Sequence, residues 1–193
     1  MSIEKKISDE ELKKVNVKQL KFHNATINLV EYNSDWPVLF QREAIRIREI
    51  LGNRALQVEH VGSTSVPGLC AKPIIDLVLV VEDSSNEASY VTDLEAAGYW
   101  LKIREPEWLE HRMLKGPDTD INLHVFSQGE DEIKKMLIYR DWLRKNENDR
   151  ELYANTKREL AKKTWRHIQH YADSKGTVVQ KIMANAMSEK LEE

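Results

Sequence analysis

The chain has 193 residues, 41% hydrophobic and 32% charged, with 29 basic against 32 acidic side chains for a formal net charge of −3. That length suits one domain able to hide about 70% of its unfolded surface, and the apolar share is enough to exclude a mostly disordered chain. The near balance of charge gives no reason to expect a nucleic-acid partner. No apolar run reaches the roughly 20 residues that cross a bilayer, so no membrane partner is expected. The start, Met1-Ser-Ile-Glu-Lys-Lys6, lacks the apolar stretch of a secretion signal. The single cysteine, Cys70, excludes an intrachain disulfide and a multi-cysteine zinc site, and it reads as a small buried or loop residue. Together these place the protein in the cytoplasm. Without repeats or low-complexity tracts, residues 1–193 read as one domain, with a peripheral N-terminal helix inside 1–24 and C-terminal helices over 130–193.

In chain order, Ser8-Asp-Glu-Glu11 has the spacing of a capping box and predicts a helix from Asp9 to Leu20. Ala25 to Tyr32 alternates like a strand. Asn33-Ser-Asp-Trp-Pro37 supplies a turn and a helix start, and Leu39, Phe40, Ile47, Ile50 and Leu51 form the buried face of the helix that Gly52 ends. Leu56 to Val61 alternates as a strand and runs into Gly62-Ser-Thr-Ser-Val-Pro-Gly68. Ile74 to Val81 is apolar on both faces apart from Asp76, the pattern of an internal strand covered on each side. A helix is expected from Asn86 to Ala97. Tyr99–Ile103 and Leu109–Lys115 should form a hairpin around Arg104-Glu-Pro-Glu107. Ile121 to Phe126 is a further strand with Asn122 and His124 on one face. Beyond Glu130 the spacing is helical, in segments marked by Ile133, Met136 and Leu137, by Leu152 to Tyr171, and by Val179, Ile182, Met183 and Ala186.

The chemistry-bearing segment is the strand ending at Val61, the Gly62-Ser63-Thr64-Ser65 bend and Asp76 in the next strand. Glycine admits close backbone approach, hydroxyls and amides bind anions, and a carboxylate within an apolar strand needs a partner. This order resembles the polymerase-beta-like nucleotidyltransferase superfamily, where a Gly-Ser turn holds nucleotide phosphates and neighbouring acids hold divalent metal. Glu59-His-Val-Gly-Ser-Thr-Ser-Val-Pro-Gly68 followed by Ala71-Lys-Pro-Ile-Ile-Asp76 resembles the GrpB family of predicted nucleotidyltransferases more closely. The likeness extends to Tyr32-Asn-Ser-Asp-Trp-Pro37, Asn122-Leu-His-Val-Phe126 and Tyr139-Arg-Asp-Trp-Leu-Arg144. It implies an α/β fold of the nucleotidyltransferase type, a mixed β-sheet flanked by helices with a C-terminal helical segment. It also implies a nucleotide or coenzyme A context, since some GrpB domains are joined to a dephospho-coenzyme A kinase.

Active members of the superfamily place two carboxylates two residues apart on one strand face; here Val78 stands where the second would be, and Asn122 and His124 stand where a third would fall. Asp76 with His124 suits one transition ion better than two Mg²⁺, so a divalent metal (Mg²⁺ or Mn²⁺) and a metal-free site both stay open. The candidate catalytic residues are Asp76, His124 and His60, with Asp76 and His124 as metal ligands. The candidate substrate-binding residues are Gly62, Ser63, Thr64, Ser65, Lys72, Arg112 and Asn122. The leading expectation is binding of a nucleotide or phosphorylated small molecule, with transfer of a nucleotidyl group. The alternative is a catalytically silent module of the same fold that binds such a ligand. A third reading uses Arg158, Lys162 and Arg166, spaced as one basic stripe beside Trp165, to meet RNA; the commoner role of such a stripe is a solvated helix face. Trp36, Trp142 and Trp165 read as anchors rather than base-stacking platforms. The sequence leaves the ligand and the oligomeric state open.

Overall fold

The computed structural model describes residues 7–189. Residues 1–6, on which the expectation about secretion rests, lie outside the described residues, as do 190–193. The order of elements is α1 (Asp9–Val15), α2 (Trp36–Leu51), β1 (Gln57–Val61), β2 (Ile75–Val81), α3 (Val91–Ala96), β3 (Trp100–Glu105), β4 (His111–Lys115), β5 (Ile121–Ser127), α4 (Asp131–Lys145), α5 (Glu147–Ala161), α6 (Ile168–Asp173) and α7 (Gly176–Glu189). The strands form one mixed sheet in the order β1-β2-β5-β4-β3. Only β2 and β5 run parallel. This is the expected α/β arrangement of a mixed sheet and flanking helices. No helix among the described residues is long and apolar enough to cross a membrane.

Alternation along the strands sorts side chains onto two faces, and register fixes which residues meet. Leu77, Leu79, Leu123 and Val125 are fully buried against Ile47 and Leu51 of α2 and Leu94 of α3. On the opposite face, Val61, Val78, Val80 and Phe126 are covered by Ile133, Met136 and Leu137 of α4. That face continues into Asp76 and Asn122, which are partners across β2 and β5 and are only half-buried. One end of the second face thus exchanges core for polar side chains.

The capping box at Ser8 forms: the Glu11 amide donates to Ser8 Oγ, and the Ser8 amide donates to Glu11 Oε2. The helix stops at Val15 rather than Leu20, because Asn16 turns extended and bridges Ile103 at the β3 edge. Ala25–Tyr32 is not a strand of the sheet; it makes only isolated bridges, Ala25 to Trp165 and Val30 to Ala71. The helix expected from Asn86 begins at Val91, after a 3-10 turn over Glu87–Ser89. In the β3–β4 hairpin Arg104 lies within β3, paired with Arg112, so the turn falls later than expected.

The long helix expected from Leu152 to Tyr171 is broken after Ala161, where the Trp165 amide donates to Ala25 O and the indole packs with Ile27 and Tyr171. The break dismantles the basic stripe. Arg158 pairs with Glu31, Lys162 with Glu159, and Arg166, off the helix, with Asp9. The tryptophans are anchors as expected: Trp36 and Trp165 are buried, and Trp142 Nε1 donates to Asp149 at 2.7 Å.

Leu123 is fully buried in the main core. Truncating Leu123→Ala should lower unfolding free energy by about 2–5 kcal/mol, read by urea denaturation.

Candidate functional site

β1 leaves the sheet at Val61, directly opposite Asp76 of β2. The next residue, Gly62, has φ +68° and sits against the Asp76 side chain: a Cβ at Gly62 would lie 2.4 Å from Asp76 Oδ2. Only glycine meets both conditions, a left-handed backbone and contact with a carboxylate. Asp76 Oδ1 accepts from Asn122 Nδ2 at 2.8 Å, and the carboxyl is 30% exposed. Its partner is therefore Asn122, while Lys72 acts on it only at longer range. Burial pushes the Asp76 carboxyl up, against the opposing pull of Asn122, Lys72, Lys175 and Lys115. The bend and the acid thus lie side by side at one partly open end of the sheet face.

Within the bend the residues part company. Ser63 is half-buried, and its Oγ accepts from Lys157 Nζ at 3.0 Å. Thr64 and Ser65, also expected to bind substrate, are buried and hydrogen-bonded within the protein. Thr64 Oγ1 meets His60 Nε2 at 3.0 Å, and Ser65 Oγ donates to Gly62 O at 2.6 Å. His60 itself is paired with Leu77 across the strands, so it lies on the face opposite Asp76 and stacks on Phe40 at 4.7 Å. Burial, with Arg144 and Arg140 adding repulsion, pulls its imidazole down to about 4. His60 is a neutral prop beneath the bend.

The C-terminal helices hold the bend from outside the sheet. Arg140 of α4 donates to Glu59 Oε2 at 2.9 Å and to His60 O at 3.0 Å. Arg144 of the same helix donates twice to Ser65 O, at 3.0 and 2.9 Å. Lys157 of α5, buried to 2% exposure, donates to Ser63 Oγ and to Cys70 O. Burial brings Lys157 down to about 7. Sequence reasoning missed Arg144 and Lys157 as site residues. The Tyr139–Arg144 motif was a signal for the first, and nothing local marked the second.

Asp76, Asn122 and His124 share a face, as expected, and His124 Nε2 lies 4.0 Å from Asp76 Oδ1. Behind it, His124 Nδ1 meets His111 Nε2 at 3.0 Å, and His111 Nδ1 meets Glu105 Oε2 at 2.6 Å. His124 is thus held from behind by His111, with its Nε2 turned toward Asp76. Burial, with His111 and Lys115 adding repulsion, pulls His124 down to about 3. Lys115 reaches Asn122 Oδ1 at 3.1 Å and Asp120 Oδ1 at 2.5 Å.

Arg112 is not at the cleft. It shares the opposite face with Val125 and pairs with Glu87 at 2.5 Å and Glu110 at 3.1 Å. Lys72 is near: burial, with Lys175 adding repulsion, lowers its ammonium to about 8 despite the pull of Asp76. For a metal, Asp76 and His124 offer two donors, and the described residues contain no group of three or more His, Cys, Asp or Glu able to hold an ion. Val78, where a second carboxylate would stand, is fully buried beside Val80, Phe126 and Ile133. The donor set does not fit a two-metal centre.

The sheet with its Gly-Ser bend has the fold of nucleotidyltransferases. The structure of Cid1 in complex with its short product ApU aligns with a TM-score of 0.50 at 14% identity, over 68% of this chain and 42% of that one, a likeness of fold. Residues 26–185 match the family model described as GrpB protein, and the chain belongs to that family. The crystal structure of GrpB from Enterococcus faecalis aligns with a TM-score of 0.73 at 32% identity, over 84% of this chain and 99% of that one. A UPF0157 protein of Halalkalibacterium halodurans is 65% identical over 179 residues, covering 93% of this chain and 92% of its own.

Two outcomes follow from the geometry. Gly62→Ala should cost about 1–3 kcal/mol through strain and the clash with Asp76, and Asp76→Gly in the same chain should return part of that loss. Strictly additive losses in denaturation would refute the close approach. For pH, His60 and His124 stay neutral when folded but bind a proton near pH 6.5 when unfolded. Between about pH 6.5 and 4 the unfolded chain therefore holds more protons, so stability falls as pH drops, by up to about 1.4 kcal/mol per pH unit for each group. Asp76, with its raised carboxyl, works in the opposite sense. His60→Gln should flatten the decline seen by denaturation at stepped pH.

Proposed function

We propose that this chain binds a nucleotide or another phosphorylated small molecule in the cleft bounded by Gly62, Ser63, Asp76, Asn122 and His124, in the cytoplasm. The observation that carries the reading is the bare Gly62 backbone against the Asp76 carboxyl, followed directly by the half-buried Ser63 hydroxyl. Close backbone approach, a hydroxyl and cations nearby form the chemistry that receives phosphate oxygens. The nucleotidyltransferase fold and the family membership support it. So does a Dephospho-CoA kinase of Mycolicibacterium paratuberculosis, 28% identical over 169 residues, which covers 74% of this chain and 42% of that protein.

A second reading, transfer of a nucleotidyl group, is favoured by His124, whose Nε2 lies 4.0 Å from Asp76 Oδ1. In that reaction an acceptor hydroxyl oxygen attacks the α-phosphorus, its proton passes to His124 Nε2 or Asp76, and pyrophosphate leaves. The buried Val78 and the missing second carboxylate place plain ligand binding ahead of it.

Calorimetry with nucleoside triphosphates and dephospho-CoA, with and without Mg²⁺ or Mn²⁺, should show binding. Ser63→Ala should weaken it about tenfold with folding intact, the value of one hydrogen bond to a charged group. Absence of heat with every ligand in every condition refutes the reading. Release of pyrophosphate that disappears in His124→Gln would raise transfer above binding alone.

A further inference from the structure

We propose that the phosphate groups of the ligand are held by lysine ammonium groups, Lys72 and Lys175 directly and Lys157 through the Ser63 hydroxyl, without a metal ion between them. The inference rests on the reading of the cleft as a phosphate site and names what neutralises the charge there. Lys72 and Lys175 both lie over the Tyr171 ring, with Nζ at 5.8 and 4.7 Å from its centroid. Lys157 lies over Tyr153 at 4.6 Å. Lys175 shares the Tyr171 ring with Lys72 and acts electrostatically on Asp76, Lys72 and Lys157. Among the described residues, no ion pair with a carboxylate within 4 Å forms at any of the three. By contrast Lys115, also near Asp76, is matched by Asp120 at 2.5 Å.

A lysine as buried as Lys157 normally has a carboxylate partner, because an unpaired buried charge is costly. Here its bonds go to Ser63 Oγ and Cys70 O, both acceptors without charge. Since Lys157 occupies an acceptor site of that hydroxyl, the Ser63 proton is free to donate into the cleft. Lys72 and Lys175, with Lys157 only partly protonated near neutral pH, still place more positive than negative charge around Asp76, which a phosphate chain of two or more negative charges would balance. The same excess repels a divalent cation from Asp76, in keeping with the lack of a two-metal donor set. The ligand class is therefore a di- or triphosphate, or a doubly charged phosphate monoester.

The test is calorimetric titration of the full chain with inorganic tripolyphosphate and pyrophosphate, in EDTA and again in Mg²⁺. Binding in EDTA at least as tight as in Mg²⁺ is expected. Lys175→Ala should weaken it about tenfold and Lys175→Arg should restore most of it, with thermal unfolding of both variants unchanged. Lys72→Gln gives a second reading of the same loss should Lys175→Ala fold poorly. Binding that appears only with Mg²⁺, or that is indifferent to Lys175→Ala and Lys72→Gln, overturns the lysine assignment while leaving the phosphate site standing. No binding in either condition, with nucleotides silent too, overturns both.

Discussion

The contact between Gly62 and the Asp76 carboxyl is the constraint on which the site depends. Register places the end of β1 opposite the start of β2, so the chain must turn immediately above an acidic side chain. A residue with a Cβ can neither adopt φ +68° without strain nor fit the space. Because the turn is made there, Ser63 comes to the cleft while Thr64 and Ser65 fold back against His60 and Gly62 O. One missing side chain therefore admits a bend whose Thr64 and Ser65 hydroxyls are consumed in holding it.

Electrostatics then sets the character of the surface around Asp76. Where a second carboxylate would gather cations, Val78 belongs to the apolar packing under α4. Asp76 instead has an amide, Asn122, as its hydrogen-bond partner and lysines as its charged neighbours. His124 is held from behind by His111 and Glu105, which fixes the ring and leaves one nitrogen toward the acid.

Much of this arrangement was legible in the sequence, and the failures have physical reasons. Period-two alternation identified β1, β2 and β5, and it correctly put Asn122 and His124 on one face. The same parity, carried across the β1–β2 pairing, sends His60 to the far face once Val61 is known to oppose Asp76; pairing is a long-range fact that no single strand displays. Arg112 went astray likewise, since its partners Glu87 and Glu110 lie on the other side of the sheet. Ala25–Tyr32 has strand-like alternation, but single bridges to Ala71 and Trp165 are all that tertiary structure offers it. Lys157 looked like one cation among many on a polar helix, and only packing reveals that it is buried against Cys70 and Ser63.

The Gly-Ser bend has little anchorage of its own on its outer side. Arg140 grips the carbonyl before it, Arg144 the carbonyl near its end, and Lys157 the hydroxyl between, so two helices hold it at three points. Those helices also share a core with α7, through Leu143, Tyr153 and Ile182. A tilt of this helical layer would carry the bend with it and alter the width of the opening above Asp76. The spacing between the bend and Asp76 is thus governed from the outer helical layer, on the far side of the bend from the acid.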